Sequence, residues 1–131
     1  MARIMIVDDS IMARRRLKHM LLEGGHEVLC EASNGLEAVL QNKHYRPDII
    51  TMDMTMPGKD GLTASKQILS EFPDARIVMV SSISDHSKIM ESSKAGVFSY
   101  LLKPFTKEQI LAAISDALNA TDRRPIAVPQ G

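Results

Sequence analysis

Acidic side chains directly follow two apolar runs of the sequence. Asp8 and Asp9 come after Arg3–Val7, and Asp53 comes after a run that ends at Met52. Carboxylates that lie close together repel one another, so some stay protonated unless a cation joins them. Mg²⁺ takes oxygen ligands and keeps several waters, so one or two carboxylates and a carbonyl are enough to hold it. The pattern indicates a magnesium site in which Asp53 could attack a phosphoryl group as a nucleophile.

Hydroxyl and ammonium groups follow two later apolar runs. Ser81 and Ser82 come after Arg76–Val80, and Lys103 comes after Val97–Leu102. A lysine balances charge on phosphoryl oxygens, and the Ser81 hydroxyl could hydrogen-bond one of them. Serine is also common in loops after strands without any functional role, so a phosphoryl-binding role for Ser81 depends on the presence of the acids.

Five short apolar runs alternate with helical patterns. The runs are Arg3–Val7, His26–Ala32, Asp48–Met52, Arg76–Val80 and Val97–Leu102. Runs of this length are typical of strands covered on both faces. The alternation predicts an α/β fold, a doubly wound five-stranded parallel sheet with five helices. Ligands of such sheets bind outside the carboxyl ends of the strands, where the acids, the serines and the lysine would meet.

The helical patterns differ in strength. Leu36, Val39 and Leu40 have the apolar spacing of a short second helix, and Thr106 is the predicted N-cap of the fifth. The segment Asp85–Gly96 is polar nearly throughout, which predicts a weakly packed fourth helix. At the first helix, Asp8 and Asp9 could alternatively serve only as helix caps.

Composition excludes several classes of protein. The chain has 131 residues, a formal net charge of zero, no Trp and a single cysteine, Cys30. Balanced charge argues against direct nucleic-acid binding, and one cysteine allows no internal disulfide. No apolar run approaches the roughly 20 residues of a membrane helix, and MARIMIV is too short for a signal peptide. We expect a cytoplasmic protein with one domain over residues 1–120 and a disordered tail or linker stub over 121–131.

Several motifs together resemble a known family. VDDS, MDMTMPGKDG and YLLKPF, with a small hydroxyl residue after the fourth strand, resemble the receiver domain of bacterial response regulators, the CheY-like fold. The resemblance runs from about Arg3 to about Asn119. It implies strand order 2-1-3-4-5 and a phosphorylation-dependent signalling switch of a two-component system. A protein of this kind catalyses only its own phosphoryl transfer and dephosphorylation, so it is not an enzyme in the usual sense.

The resemblance implies a role for each site residue. Asp53 is the phosphoacceptor, and Mg²⁺ is held by Asp8, Asp9, Asp53 and the backbone carbonyl of Thr55. Lys103 contacts the phosphoryl group, and the peptide between it and the next proline is cis.

The resemblance also implies how the signal leaves the site. Ser81 is the switch hydroxyl, and Tyr100 is an aromatic side chain that moves inward when Ser81 bonds the phosphoryl group. The surface that changes is the fourth helix, fifth strand and fifth helix. Thr55 and Ile83 hold the positions that tune phosphate lifetime, and neither orients water well, so we expect slow self-dephosphorylation.

The expected partners are a sensor histidine kinase or phosphotransfer protein and a downstream target that the sequence does not identify. The basic run Arg14–Lys18 is either a docking site for the kinase or a solvated helix face. The residues of the motif TMDMTMP favour a chemotaxis-type regulator, and we expect a monomer or weak dimer.

Three other functions remain as alternatives. A haloacid-dehalogenase-type phosphatase also uses a strand-end Asp, but it needs a second Asp where this chain has Thr55. A flavodoxin-like flavin binder needs a phosphate loop after the first strand, and Asp8 and Asp9 would repel a phosphate there. A receiver-like module could also bind partners without phosphorylation, although all five site residues are present.

Overall fold

The computed structural model describes residues 1–120, and the predicted tail over 121–131 lies outside the described residues. The strands are β1 (Arg3–Val7), β2 (Glu27–Ala32), β3 (Ile49–Asp53), β4 (Ile77–Ser81) and β5 (Ser99–Leu102). The helices are α1 (Ile11–Glu23), α2 (Gly35–Tyr45), α3 (Gly61–Glu71), α4 (His86–Ala95) and α5 (Lys107–Asn119). None of these helices is long and apolar enough to cross a membrane.

The five strands form one parallel sheet in the order β2-β1-β3-β4-β5, which confirms the predicted topology. β3 ends in Asp53, as predicted, and β4 extends one residue beyond its apolar run, to Ser81. The reason is that polar residues still pair in the ladder: Asp53 lies opposite Val80, and Ser81 lies opposite Leu102. Both side chains therefore sit at the carboxyl edge of the sheet.

Apolar side chains fill both faces of the sheet, as the doubly wound prediction requires. The cluster shared with α2, α3 and α4 includes Met5, Ile50, Met52, Ala38, Ile68 and Ile89. The cluster shared with α1 and α5 includes Ile4, Ile6, Val78, Leu17, Ile110 and Ile114. These two layers hold the strand ends at fixed positions, which is what a site built from side chains distant in sequence needs.

The predicted core face of α2 is partly wrong. Leu36 and Leu40 are 59% and 57% exposed, whereas Ala38, Val39 and Asn42 are buried. Three apolar positions over five residues do not define a helix face, and the small Ala38 lets the helix approach the sheet closely. The two exposed leucines leave an apolar strip on this side of the molecule.

The ends of α4 and α5 agree with the sequence prediction. Thr106 accepts a hydrogen bond from the Gln109 N–H, and the Gln109 side chain accepts one from the Thr106 N–H, which is a capping box. Gly96 is the C-cap of α4 and has φ 101°, a value that glycine adopts without strain. The buried side chains of α4 are Ile89 and Ser92, so this helix is held by little apolar surface.

Candidate functional site

Three carboxylates meet at the carboxyl edge of the sheet. Asp8 follows β1, and Asp53 is the last residue of the adjacent strand β3. One carboxylate oxygen from each of Asp8, Asp9 and Asp53 lies within 4.8 Å of the others. Asp8 and Asp53 are 5% and 7% exposed, whereas Asp9 is exposed. The structure thus brings together acids that are more than 40 residues apart in sequence.

Ser10 caps α1, so the alternative in which Asp8 and Asp9 are its caps is wrong. The Ser10 hydroxyl accepts a hydrogen bond of 3.1 Å from the Ala13 N–H. The Ser10 N–H in turn donates to Asp8 Oδ1 at 2.9 Å. This turn directs the Asp8 carboxylate toward β3 and leaves Asp9 free of any role in the helix end.

Lys103, the residue directly after β5, reaches the carboxylates. Its Nζ lies 3.0 Å from Asp8 Oδ2 and 3.8 Å from Asp53 Oδ1. The Lys103 N–H donates to the Ser81 carbonyl at 2.8 Å, which holds its backbone against the end of β4. The Lys103–Pro104 peptide is cis, as the resemblance implied. The ammonium is therefore placed to contact an anion bound beside Asp53.

The environment of Asp53 opposes its ionisation. Burial is the main reason that the pKa of this carboxyl is raised from 3.8 to about 6. Lys103 lowers the pKa, Asp8 raises it, and a Thr55 N–H 3.4 Å from Asp53 Oδ1 lowers it a little. A cation placed among these carboxylates would favour the ionised, nucleophilic form.

The donor set suits Mg²⁺. This ion is bound in proteins mainly by carboxylate and carbonyl oxygens and water, and three carboxylate oxygens converge here. Thr55 lies in the loop after β3, and its N–H contact with Asp53 places its backbone beside the acids. No other group of three such side chains with this spacing occurs among residues 1–120.

Gly61, the first residue of α3, supports the loop after β3 and was not identified from the sequence. A Cβ at this position would overlap the carbonyl of Asp53. The Gly61 N–H donates to the Met54 carbonyl at 2.9 Å, so the start of α3 lies against the end of β3. The signal was present in the motif MPGKDG, whose second glycine permits this close approach.

Ser81 and Tyr100 connect the site to α4. Ser81 is fully buried, and its hydroxyl accepts a hydrogen bond of 3.0 Å from the Ile83 N–H. Tyr100 is 5% exposed, and its hydroxyl donates to the Ile83 carbonyl at 2.8 Å. In this structure Tyr100 therefore occupies an inward position, and Ile83 links the serine to the tyrosine.

The hydrogen bond from Tyr100 to Ile83 allows a test of how strongly the inward position of Tyr100 is stabilised. We expect Tyr100→Phe to lower the free energy of unfolding by about 1 kcal/mol, because the half-buried Ile83 carbonyl loses its donor. Urea titrations of both proteins measure the difference. Tyr45→Phe is the matched control, since Tyr45 is 41% exposed, and we expect a change within about 0.5 kcal/mol. Equal effects of the two substitutions would contradict the prediction.

Comparison with known proteins identifies close relatives. The response regulator receiver domain family model matches residues 4–115. The chemotaxis protein CheY of Bacillus subtilis (strain 168) is 42% identical over 117 residues, which are 89% of this chain and 98% of that protein. CheY of Thermotoga maritima is 39% identical over 113 residues, or 86% of this chain and 94% of that protein.

Solved structures agree with these matches. A chain of the CheX–CheY–BeF₃–Mg²⁺ complex from Borrelia burgdorferi has a TM-score of 0.86 and 28% identity, covering 90% of each chain. A LuxR-family response regulator from Aurantimonas has a TM-score of 0.89 and 29% identity, covering 98% of this chain and 90% of that one. The chain therefore belongs to the response regulator receiver domain family and is a phosphorylation-dependent switch of two-component signalling.

Proposed function

We propose that Asp53 accepts the phosphoryl group and that Asp8, Asp9, Asp53 and the Thr55 carbonyl hold Mg²⁺. The observation that supports this assignment is the convergence of three carboxylate oxygens beside the Lys103 ammonium, at the ends of adjacent strands. Residues 1–120 form the receiver unit in this proposal.

Each side chain has a defined part in the transfer. An Asp53 carboxylate oxygen attacks phosphorus, the bond from phosphorus to the donor histidine nitrogen breaks, and the released imidazole nitrogen takes a proton from water. Bound Mg²⁺ supplies positive charge that offsets the carboxylates and the phosphoryl oxygens. Lys103 donates a hydrogen bond to a phosphoryl oxygen, replacing the distant contact it has with Asp53. The dephosphorylated donor leaves and the phosphoryl group stays on Asp53, so each protein molecule is modified once, which distinguishes a switch from an enzyme with turnover.

The signal passes from the phosphoryl group through Ser81. Its hydroxyl turns toward a phosphoryl oxygen and gives up the hydrogen bond from the Ile83 N–H. Because the Tyr100 hydroxyl donates to the Ile83 carbonyl, the tyrosine and the segment between β4 and α4 move together. The surface formed by α4, β5 and α5 then binds a target protein differently, which is favoured by the small buried surface of α4.

The partners follow from the family and its relatives. The donor is a sensor histidine kinase or phosphotransfer protein in the cytoplasm, and the chemotaxis relatives favour a chemotaxis pathway. Thr55 and Ile83 offer no acid or amide to orient an attacking water, so self-dephosphorylation is slow. In the Borrelia complex CheY is bound to CheX, and we infer only that this chain also binds a further protein.

Mass spectrometry after incubation with a small phosphodonor tests the proposal. We expect a gain of one phosphoryl group with Mg²⁺ present and none with a chelator. Borohydride reduction of the product followed by peptide mapping should mark Asp53. Steady hydrolysis of many phosphomonoesters would instead indicate a phosphatase, and a complete lack of Mg²⁺ dependence would indicate an interaction module.

A further inference from the structure

Arg14, on α1, binds the backbone between the first two acids of the site. Its Nη1 donates to the Asp8 carbonyl at 2.6 Å, and its Nε donates to Glu31 Oε1 at 3.0 Å. The Arg14 side chain is 16% exposed, so it is largely enclosed by the protein. This residue belongs to the basic run Arg14–Lys18, for which the sequence suggested either kinase docking or a solvated face. For Arg14 neither interpretation describes the inward contact that the structure shows.

The Asp8 carbonyl is one end of the peptide group that joins Asp8 to Asp9. Because this group is planar, the direction of the carbonyl also sets the direction in which Asp9 leaves the turn. Asp8 is already held by its own N–H, which donates to the Ala32 carbonyl at 3.1 Å, and by both carboxylate oxygens. Asp9 is exposed and has no comparable hydrogen bond among those the structure describes. The bond from Arg14 is thus the contact that orients the peptide leading to Asp9.

Glu31 anchors the guanidinium. It lies on β2, and its second oxygen is 3.7 Å from Lys18 Nζ. Arg14 therefore joins α1, β2 and the turn after β1 through two acceptors in different directions. The planar guanidinium, with several donors fixed in one plane, suits such an arrangement, whereas the compact ammonium of lysine lacks donors fixed in this geometry.

We propose that Arg14 is a positioning residue that orients the Asp8–Asp9 peptide for Mg²⁺ binding, an inference that rests on the proposed metal site. The direction in which Mg²⁺ affinity changes when Arg14 is replaced separates this role from simple electrostatics. A cation near the site repels Mg²⁺, so removing its charge alone would strengthen Mg²⁺ binding. Removing a positioning contact would weaken it.

Calorimetric titration with Mg²⁺ tests the proposal on a matched pair of variants. Arg14→Met and Lys18→Met each remove one positive charge and one partner of Glu31 from α1, and each keeps an apolar stem. Only Arg14 contacts the Asp8 carbonyl. We expect Arg14→Met to bind Mg²⁺ about tenfold more weakly, as is typical when outer contacts of a metal site are lost. We expect Lys18→Met to bind Mg²⁺ as the wild type does or slightly more tightly.

Each result has a definite meaning. Unchanged or tighter binding in Arg14→Met would overturn the positioning role, and so would equal weakening in both variants. If the wild type itself binds no Mg²⁺, the proposed metal site fails rather than this inference alone. Thermal unfolding without Mg²⁺ checks that the variants are folded. Should Arg14→Met not fold, Glu31→Gln weakens the same anchor without touching Asp8, and Glu27→Gln, at an exposed position on the same strand, controls for the lost negative charge. An Mg²⁺ affinity of Glu31→Gln no weaker than that of Glu27→Gln would also overturn the role.

Discussion

Asp53→Asn is expected to abolish phosphoryl acceptance, lowering its rate by at least about 1,000-fold. The amide nitrogen and oxygen of Asn are poor nucleophiles, and the remaining acids are not placed at the end of β3. Asp8 Oδ1 and Oδ2 are both engaged, by the Ser10 N–H and Lys103 Nζ, so Asp8 is not a substitute acceptor. The measurement is the mass gain after timed incubation with a phosphodonor and Mg²⁺.

Asp60→Asn is the matched control for this loss. Asp60 is exposed, lies in the same loop region and caps α3 by accepting a hydrogen bond from the Thr63 N–H at 2.7 Å. Asn is as good a helix cap as Asp, so this variant removes one negative charge while keeping the fold. We expect its mass gain to match the wild type. A phosphorylated Asp53→Asn protein would show that another residue accepts the phosphoryl group.

The positions of the acids were predictable because of a general property of parallel sheets. Strand ends share one edge, so residues that follow apolar runs meet there whatever their separation in sequence. This rule alone predicts that Asp8, Asp53, Ser81 and Lys103 lie together. The same rule does not specify distances, and it gives no sign that Ile83 bonds both Ser81 and Tyr100.

Contacts between elements were not predictable from periodicity. Arg14 appeared as one member of a basic run, although its guanidinium points inward while Arg15 and Arg16 are exposed. Arg14 precedes the buried Leu17 by three residues and Leu21 by seven, so the helical period places it on the inward face, but a period does not show which acceptors its guanidinium meets there. The exposed Leu36 and Leu40 on α2 illustrate the same limit for apolar residues.

Asp53 also makes the stability of the protein depend on pH. Burial raises its pKa from 3.8 to about 6, so in the absence of Mg²⁺ the folded state holds this proton more tightly than the unfolded chain does. The neutral carboxyl therefore contributes stability that is fully present below about pH 4 and is lost as the pH rises through about 6. A pKa difference of about two corresponds to about 3 kcal/mol.

Asp53→Asn is consequently expected to raise the free energy of unfolding without Mg²⁺ by about 3 kcal/mol at pH 7.5 and by close to zero at pH 4. The amide is neutral at both pH values, so the variant avoids the cost of a buried, ionised carboxylate. Urea titrations at several pH values with a chelator present measure the difference, and Asp116→Asn, at an exposed position on α5, is the control for net charge. Adding Mg²⁺ at ten times its dissociation constant should stabilise the wild type by about 1.4 kcal/mol and the Asn variant by less. A stability gain in Asp53→Asn that is independent of pH would mean that packing, rather than the burial of this charge, limits the stability of the site.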